Sequence, residues 1–328
     1  MPVTNSKVFA VITGASRGIG KEIAVQLSRK VAAGSVFLIT ARQLALLQQV
    51  KTEILMNNAQ LDVHVVVADA AYLTDEKLAE FGDVLSGAIP KGTHFDTLIM
   101  VHNAGTIGDL SKKAQEISTS KEWHDFLQIN LIAMIQINNL VLSKLTKEYA
   151  VDKFQLVKQR LIVNITSLMS VQAVPSLSQV CFLSSSSSVT YKQYSHHLFS
   201  HSCQKFQYSV AKAAREAFFR SLAVEDPSLR ILSYSPGPVQ TDMYEDILQN
   251  SYDEGVRNMF QHRDPVVILT YTSLFICFTH DFADEEVSRK LLEPKETVSK
   301  MFSIIEKDQY ESGARVDYFD VDVAPEKE

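Results

Sequence analysis

The chain has 328 residues, enough for one large α/β domain or two small ones, and 46% of them are hydrophobic, ample for a buried core. A net charge of −6 offers no basic surface, so no nucleic-acid partner is expected. The N-terminus lacks the apolar core of a signal peptide, and the longest uncharged apolar run, Pro265 to Thr279, is too short to cross a membrane. Three cysteines make no disulfide framework, and the expectation is a cytoplasmic protein without membrane contact.

Val8-Phe9-Ala10-Val11-Ile12 is a continuous apolar run, the pattern of a parallel strand buried on both faces. After Gly20, the residues Ile23, Ala24, Leu27 and Val31 recur at helical spacing. Thr13-Gly14-Ala15-Ser16-Arg17-Gly18-Ile19-Gly20 therefore joins a strand to a helix. Gly14 permits the tight turn, while Gly18 and Gly20 let backbone N–H groups and the helix N-terminus approach phosphate. The spacing departs from G-x-G-x-x-G, and three glycines alone also fit an ordinary turn; the flanking strand and helix favour a dinucleotide site. The next strand, Val36 to Thr40, ends in Ala41-Arg42-Gln43. NAD-selective sites place an acid there for the ribose 2′-OH, whereas Arg42 offers a bidentate partner for a 2′-phosphate, with Arg17 as a second cation. A solvated, helix-leading arginine is the alternative. The cofactor is read as NADP(H).

Further along, the pattern predicts a helix over 43–57, a strand over 63–68 and a helix over 74–87. A strand over 97–101, a long helix from 120 to 149 and a strand over 160–165 follow. The last elements are a helix over 207–225 and strands over 230–234 and 314–319. This alternation implies a single, doubly wound parallel sheet of the Rossmann type, flanked by helices, with ligands at the carboxyl ends of its strands. Gly14, Arg42, Asp69, Asn103, Ser167 and Pro236 all fall at such ends. Tyr208-Ser209-Val210-Ala211-Lys212 places a phenol and an ammonium one helical turn apart. A free phenol has a pKa near ~10, and the Lys212 charge is expected to lower it. Ser167 is placed to hydrogen-bond a substrate carbonyl oxygen and orient it. A lone Tyr-x-x-x-Lys is commonly an exposed helical pair; in register with Ser167, Asn130 and the glycine turn it points to carbonyl reduction, with tyrosine supplying the proton.

Together, Thr13-Gly14-x-x-x-Gly18-x-Gly20, Asn103-Ala104-Gly105, Asn130, Ser167, Tyr208-x-x-x-Lys212 and Pro236-Gly237 resemble the short-chain dehydrogenase/reductase family. The resemblance covers nearly the whole chain. Within the family it is closest to reductases of pterin ketones, on Ser111-Lys112, Ala211 to Arg215, Tyr234 to Met243 and Ser312 to Asp320. The resemblance implies that Lys212 also binds the nicotinamide ribose and that Asn130 supports a water relay near it. It implies that Asp69, with Ala70 beside it, faces the adenine ring; a helix-leading cap is the other reading of Asp69. Val239, Gln240, Thr241, Asp242, Met243 and Tyr244 would contact the nicotinamide side and lead into a mobile lid. His102 stands where the family often has asparagine and is expected to point into the sheet. Asp317 would hold the guanidine-like edge of a pterin beside Gly237, with a solvated strand-end acid as the alternative. The implied activity is NADPH-dependent reduction of a pterin side-chain ketone in tetrahydrobiopterin synthesis, by a homodimer. A broad carbonyl reductase and a catalytically impaired NADP-binding protein are the competing readings.

Two segments break the pattern. The family's serine and tyrosine lie about a dozen residues apart, whereas Ser167 and Tyr208 are 41 apart. Removing 177–204 restores a spacing of 13. That piece holds Ser184 to Ser188, no acid and one basic residue, Lys192. A second atypical piece runs from about 262 to 283, and the two contain all three cysteines and five of the nine histidines. They read either as genuine surface loops within one domain spanning 1–328, since long insertions cost little closure entropy, or as translated non-coding sequence. His196, His197 and His201 have no acidic neighbour, and no metal site is expected.

Overall fold

The computed structural model describes residues 3–89, 93–113, 116–147, 157–171, 206–254, 257 and 291–321. Both atypical segments, the three cysteines and the His196–His201 cluster lie outside these residues. Seven strands form one parallel sheet in the order β3-β2-β1-β4-β5-β6-β7. They are β1 (Val8–Thr13), β2 (Val36–Ala41), β3 (Asp62–Val67), β4 (Phe95–His102), β5 (Val157–Ile165), β6 (Leu229–Ser235) and β7 (Arg315–Asp317). The order reverses between β1 and β4, which opens a crevice at the strand carboxyl ends.

Each central strand is buried on both faces because helices cover both. Alternate residues of β1 divide accordingly. Val8, Ala10 and Ile12 pack with α1 (Gly18–Lys30), α2 (Leu44–Asn57) and α8 (Pro294–Lys307), through Ile23, Leu27, Leu47, Val298 and Phe302. Phe9 and Val11 face α3 (Asp75–Gly87), α5 (Ala133–Lys147) and α6 (Phe206–Glu225), through Phe81, Leu85, Met134, Val141 and Phe219. This two-sided burial explains why the strands read as unbroken apolar runs.

The predicted elements are present, with three differences. The helix expected from 120 to 149 contains a wide π turn, Gln128–Ile132, between α4 (Ser120–Leu127) and α5. Its stretch Ser120–Leu145 is long and apolar enough to cross a membrane, but Phe126, Asn130, Ala133, Met134, Ile137, Val141 and Leu145 are buried in the protein, as in a core helix. The stretch expected to lead into a mobile lid opens with α7 (Asp242–Asn250), started by the Thr241 hydroxyl accepting from Tyr244 N at 3.3 Å. Helix α8 was not anticipated. Strand β7 is shorter than expected, because the chain turns at once: Phe319 N donates to Asp317 Oδ1 and Asp320 N to Asp317 O.

Candidate active site

The glycine turn sits between β1 and α1 and is locked to the end of β4. Thr13 Oγ1 accepts from Asn103 N at 3.1 Å and Ala104 N at 3.2 Å, and Asn103 Nδ2 donates to Gly14 O at 3.0 Å. Gly14 and Gly18 have φ of +66° and +55°, the left-handed region. A Cβ on Gly20 would lie 2.3 Å from Gly14 O and 2.4 Å from Asn103 Nδ2, so no side chain fits there. No side chain caps α1 and no acid lies in its first turn, leaving the N–H groups of Gly18, Ile19 and Gly20 directed at the crevice. The cradle has the donors and the close backbone approach that a pyrophosphate requires. Ala15 is buried beneath it and Ser16 is half-buried at its rim.

Arg42 and Gln43 are exposed at the end of β2, before a helix that also lacks a side-chain cap. Arg17 reaches the other way, and its guanidinium pairs with Asp242 at 2.5 Å. Asp69 Oδ1 accepts from Ala71 N at 3.0 Å and starts the short turn Ala70–Tyr72, the capping role given above as its second reading. Val239 bridges to Leu292, Gln240 N donates to Leu292 O at 2.9 Å, and Thr241 closes on the glycine turn, 3.4 Å from where a Gly18 Cβ would sit. Met243 packs against the apolar cluster of Ile107, Leu110, Phe126, Tyr208, Ala211 and Ile247. Gly237, at φ +74°, faces Leu292 and Phe319. Asp317 is 5% exposed, so it is not a solvated acid. Its oxygens accept from Arg315 Nη1 at 3.2 Å and Phe319 N at 3.1 Å.

Ser167 and Tyr208, 41 residues apart in sequence, are brought close enough for the serine hydroxyl to act on the phenol. Ser167 leaves β5 as the cap of a 3₁₀ turn, Leu168–Ser170, accepting from Met169 N at 3.3 Å. Lys212 is buried one turn along α6 from Tyr208; its Nζ donates to Ile165 O at 2.6 Å and lies 5.3 Å from the Tyr208 ring centre. The expected lowering of the phenol pKa by Lys212 is not what the site does. Burial pushes Tyr208 up to about 12, with the Arg215 charge and the Ser167 hydrogen bond acting in the opposite direction. Desolvation, then the Arg215 charge, holds Lys212 well below the usual lysine range, while Glu216 raises it. Low dielectric disfavours both charges at once, a balance that residue spacing cannot reveal. Asn130 is buried in the π turn, where its side chain accepts from Thr106 N at 2.9 Å and donates to Phe126 O at 3.1 Å. It holds the loop after β4, and its side chain makes no bond to Lys212.

The profile of the family described as short chain dehydrogenase matches residues 8–182. The chain belongs to that family. Sepiapterin reductase of Rattus norvegicus is 27% identical over 311 residues, covering 95% of this chain and 96% of the rat protein. Sepiapterin reductase of Mus musculus is 28% identical over 310 residues, covering 94% and 96%. Among solved structures, L-sorbose reductase from Gluconobacter frateurii, complexed with NADPH and L-sorbose, aligns with a TM-score of 0.62 at 19% identity over 97% of both chains. Levodione reductase aligns at 0.63 and 17% identity over 96% of both. These two share the fold.

As a short-chain dehydrogenase, the protein is an oxidoreductase, and one buried side chain whose role sequence reading passed over, Arg215, holds its site together. Arg215, fully buried, donates to Asn164 Oδ1 at 2.9 Å, Ala104 O at 3.1 Å and His102 O at 2.5 Å, tying α6 to the ends of β4 and β5. Its signal was a charge on the buried face of a helix. His102 points into the protein as expected, 3.2 Å from Asn138 Oδ1 and against the Phe219 ring. Burial, then the Arg215 charge, lowers its pKa to about 3 and keeps it neutral. A cavity of about 380 Å³ lies beside α4, walled by Thr106, Gly108, Lys112, Phe126 and Gln207 but not by Tyr208 or Ser167.

Proposed function

We propose that this short-chain dehydrogenase uses NADPH to reduce the side-chain ketone of a pterin, the step that forms tetrahydrobiopterin. The approach of half-buried Ser167 to the buried Tyr208 phenol, with Lys212 one turn along the same helix, carries the reading. NADPH, when bound, supplies hydride to the carbonyl carbon. Ser167 holds the carbonyl oxygen, and the Tyr208 phenol gives it a proton. A phenol pKa of about 12 suits a donor, because Tyr208 stays protonated at neutral pH. Lys212 and Asn103 line the nicotinamide side, and Arg42 receives the 2′-phosphate. The pterin assignment is supported by relatives named sepiapterin reductase that match about 95% of the chain. Asp317 beside Gly237 and Phe319 is its proposed anchor. A homodimer in the cytoplasm accompanies this reading.

One observation favours a broader carbonyl reductase: both Asp317 oxygens already accept hydrogen bonds, and a pterin edge would have to share them with Arg315 and Phe319 N. The approach of Ser167 to Tyr208 speaks against the impaired-protein reading. The deciding experiment is kcat/KM for sepiapterin and for a small diketone, with NADPH and NADH. A pterin reductase prefers sepiapterin and NADPH. Equal use of both carbonyls assigns the broader reading, and a preference for NADH removes Arg42 as the phosphate ligand.

A further inference from the structure

We propose that Glu216 is a positioning residue that clamps the catalytic serine to the helix of the catalytic tyrosine. Glu216 lies on α6, four residues beyond Lys212 and eight beyond Tyr208, hence on the same face of that helix. It is 2% exposed. Its Oε1 accepts from Thr166 Oγ1 at 2.5 Å and from Ser170 Oγ at 2.5 Å, and Arg220 Nη1 lies 3.8 Å from Oε2. Thr166 immediately precedes Ser167, and Ser170 follows it three residues later. One carboxylate oxygen thus grips the serine turn on both sides.

The turn needs such a grip. Leu168–Ser170 is a single 3₁₀ turn, a short element with poor hydrogen-bond geometry. Ser170 N closes it from within, donating to Ser167 O at 3.0 Å. Thr166 N ties its start to Tyr234 O at 2.8 Å. Among the described residues, only Glu216 links the turn to α6 through side chains on both flanks of Ser167. A buried carboxylate is costly unless it is hydrogen-bonded, and an apolar residue would fill the space at less cost, so its bonds are its role. Because Tyr208, Lys212 and Glu216 share one rigid helix, the Ser167–Tyr208 register is set across space. It does not depend on the length of chain between them, and a spacing of 41 is tolerated where the family has about a dozen.

The inference rests on Ser167 and Tyr208 as the reacting pair, and not on the pterin substrate. The test uses full-length Glu216→Ala, Glu216→Gln and the double variant Thr166→Val/Ser170→Ala. Each is assayed for kcat and KM on sepiapterin and a small diketone, NADPH dissociation constant and melting temperature. Misplacing the serine by a fraction of an ångström should lower kcat about 10- to 100-fold in Glu216→Ala and in the double variant, with NADPH affinity within about threefold of wild type. Glu216→Gln keeps an accepting oxygen and should retain kcat within about threefold. A folded Glu216→Ala with wild-type kcat overturns the clamp, as does a Gln variant as impaired as Ala. If Glu216→Ala does not fold, the double variant decides, and its full activity overturns the clamp. If only the diketone is reduced, the pterin reading fails and the clamp is judged on the diketone.

Discussion

At the scale of single residues, the site protects protonation states by burial. Tyr208, at about 12, holds its proton across the physiological range in the cofactor-free protein. Ultraviolet titration of wild type against Tyr208→Phe should therefore show no Tyr208 phenolate below pH 10. A phenolate appearing near pH 7 to 8 would restore the expected role of Lys212. His102 gives a stability prediction. Its folded pKa of about 3 lies below the ordinary 6.5, so below pH 6.5 the unfolded chain binds a proton that the native protein refuses. Its contribution is present above 6.5 and lost as pH falls toward 3, at about 1.4 kcal/mol per unit, or on the order of 2 kcal/mol between pH 7 and 5. His102→Asn removes this slope, and urea unfolding at pH 7 and 5 measures it. An unchanged slope would mean that His102 is not the group responsible. The identities of Ser167, Tyr208 and Lys212 were legible in the sequence; their electrostatics were not, because desolvation depends on what α6 packs against. Arg215 and Glu216 went unread for the same reason.

At the scale of elements, the glycine turn is the least forgiving part. Gly20→Ala places a methyl 2.3 Å from Gly14 O, a contact with backbone that cannot rotate away. The variant should lose NADPH binding, read by fluorescence quenching, together with stability. Binding within about twofold of wild type would show that the turn can open. Arg42 is a matter of charge alone, exposed as it is. Arg42→Asp should invert the NADPH-to-NADH ratio of kcat/KM, and an unchanged ratio would mean that the phosphate sits elsewhere. The strands were legible because two-sided burial writes them as apolar runs, and α1 because its glycines announce it. Helix α8 had its own signal: Pro294 in the first turn, Glu293 and Glu296 as a capping box, and Val298, Met301, Phe302 and Ile305 at helical spacing. The end of β7 was overextended, since nothing local in Tyr318-Phe319 announces that Asp317 turns the chain.

At the scale of the whole molecule, the sheet order sets β1, β4 and β5 side by side, so the glycine turn, Asn103 and Ser167 lie at the same end of the sheet. The break in spacing between Ser167 and Tyr208 was visible in the sequence, but its consequence was not, since spacing along the chain does not report how α6 returns Tyr208 to Ser167. Deleting 177–204 should leave a folded protein with turnover at least that of the full chain, compared by melting temperature and kcat. An insoluble or inactive deletion beside an active parent would make the segment a structural part. The central claim, proton transfer by Tyr208 to a pterin ketone, is tested most directly by NADPH oxidation with sepiapterin in wild type and Tyr208→Phe. The account predicts turnover in wild type and a loss of at least the 10²–10⁴-fold typical of a general acid in the variant, with NADPH binding intact. A variant that keeps a tenth of wild-type turnover, or a wild type that binds NADPH and leaves sepiapterin untouched, would contradict it.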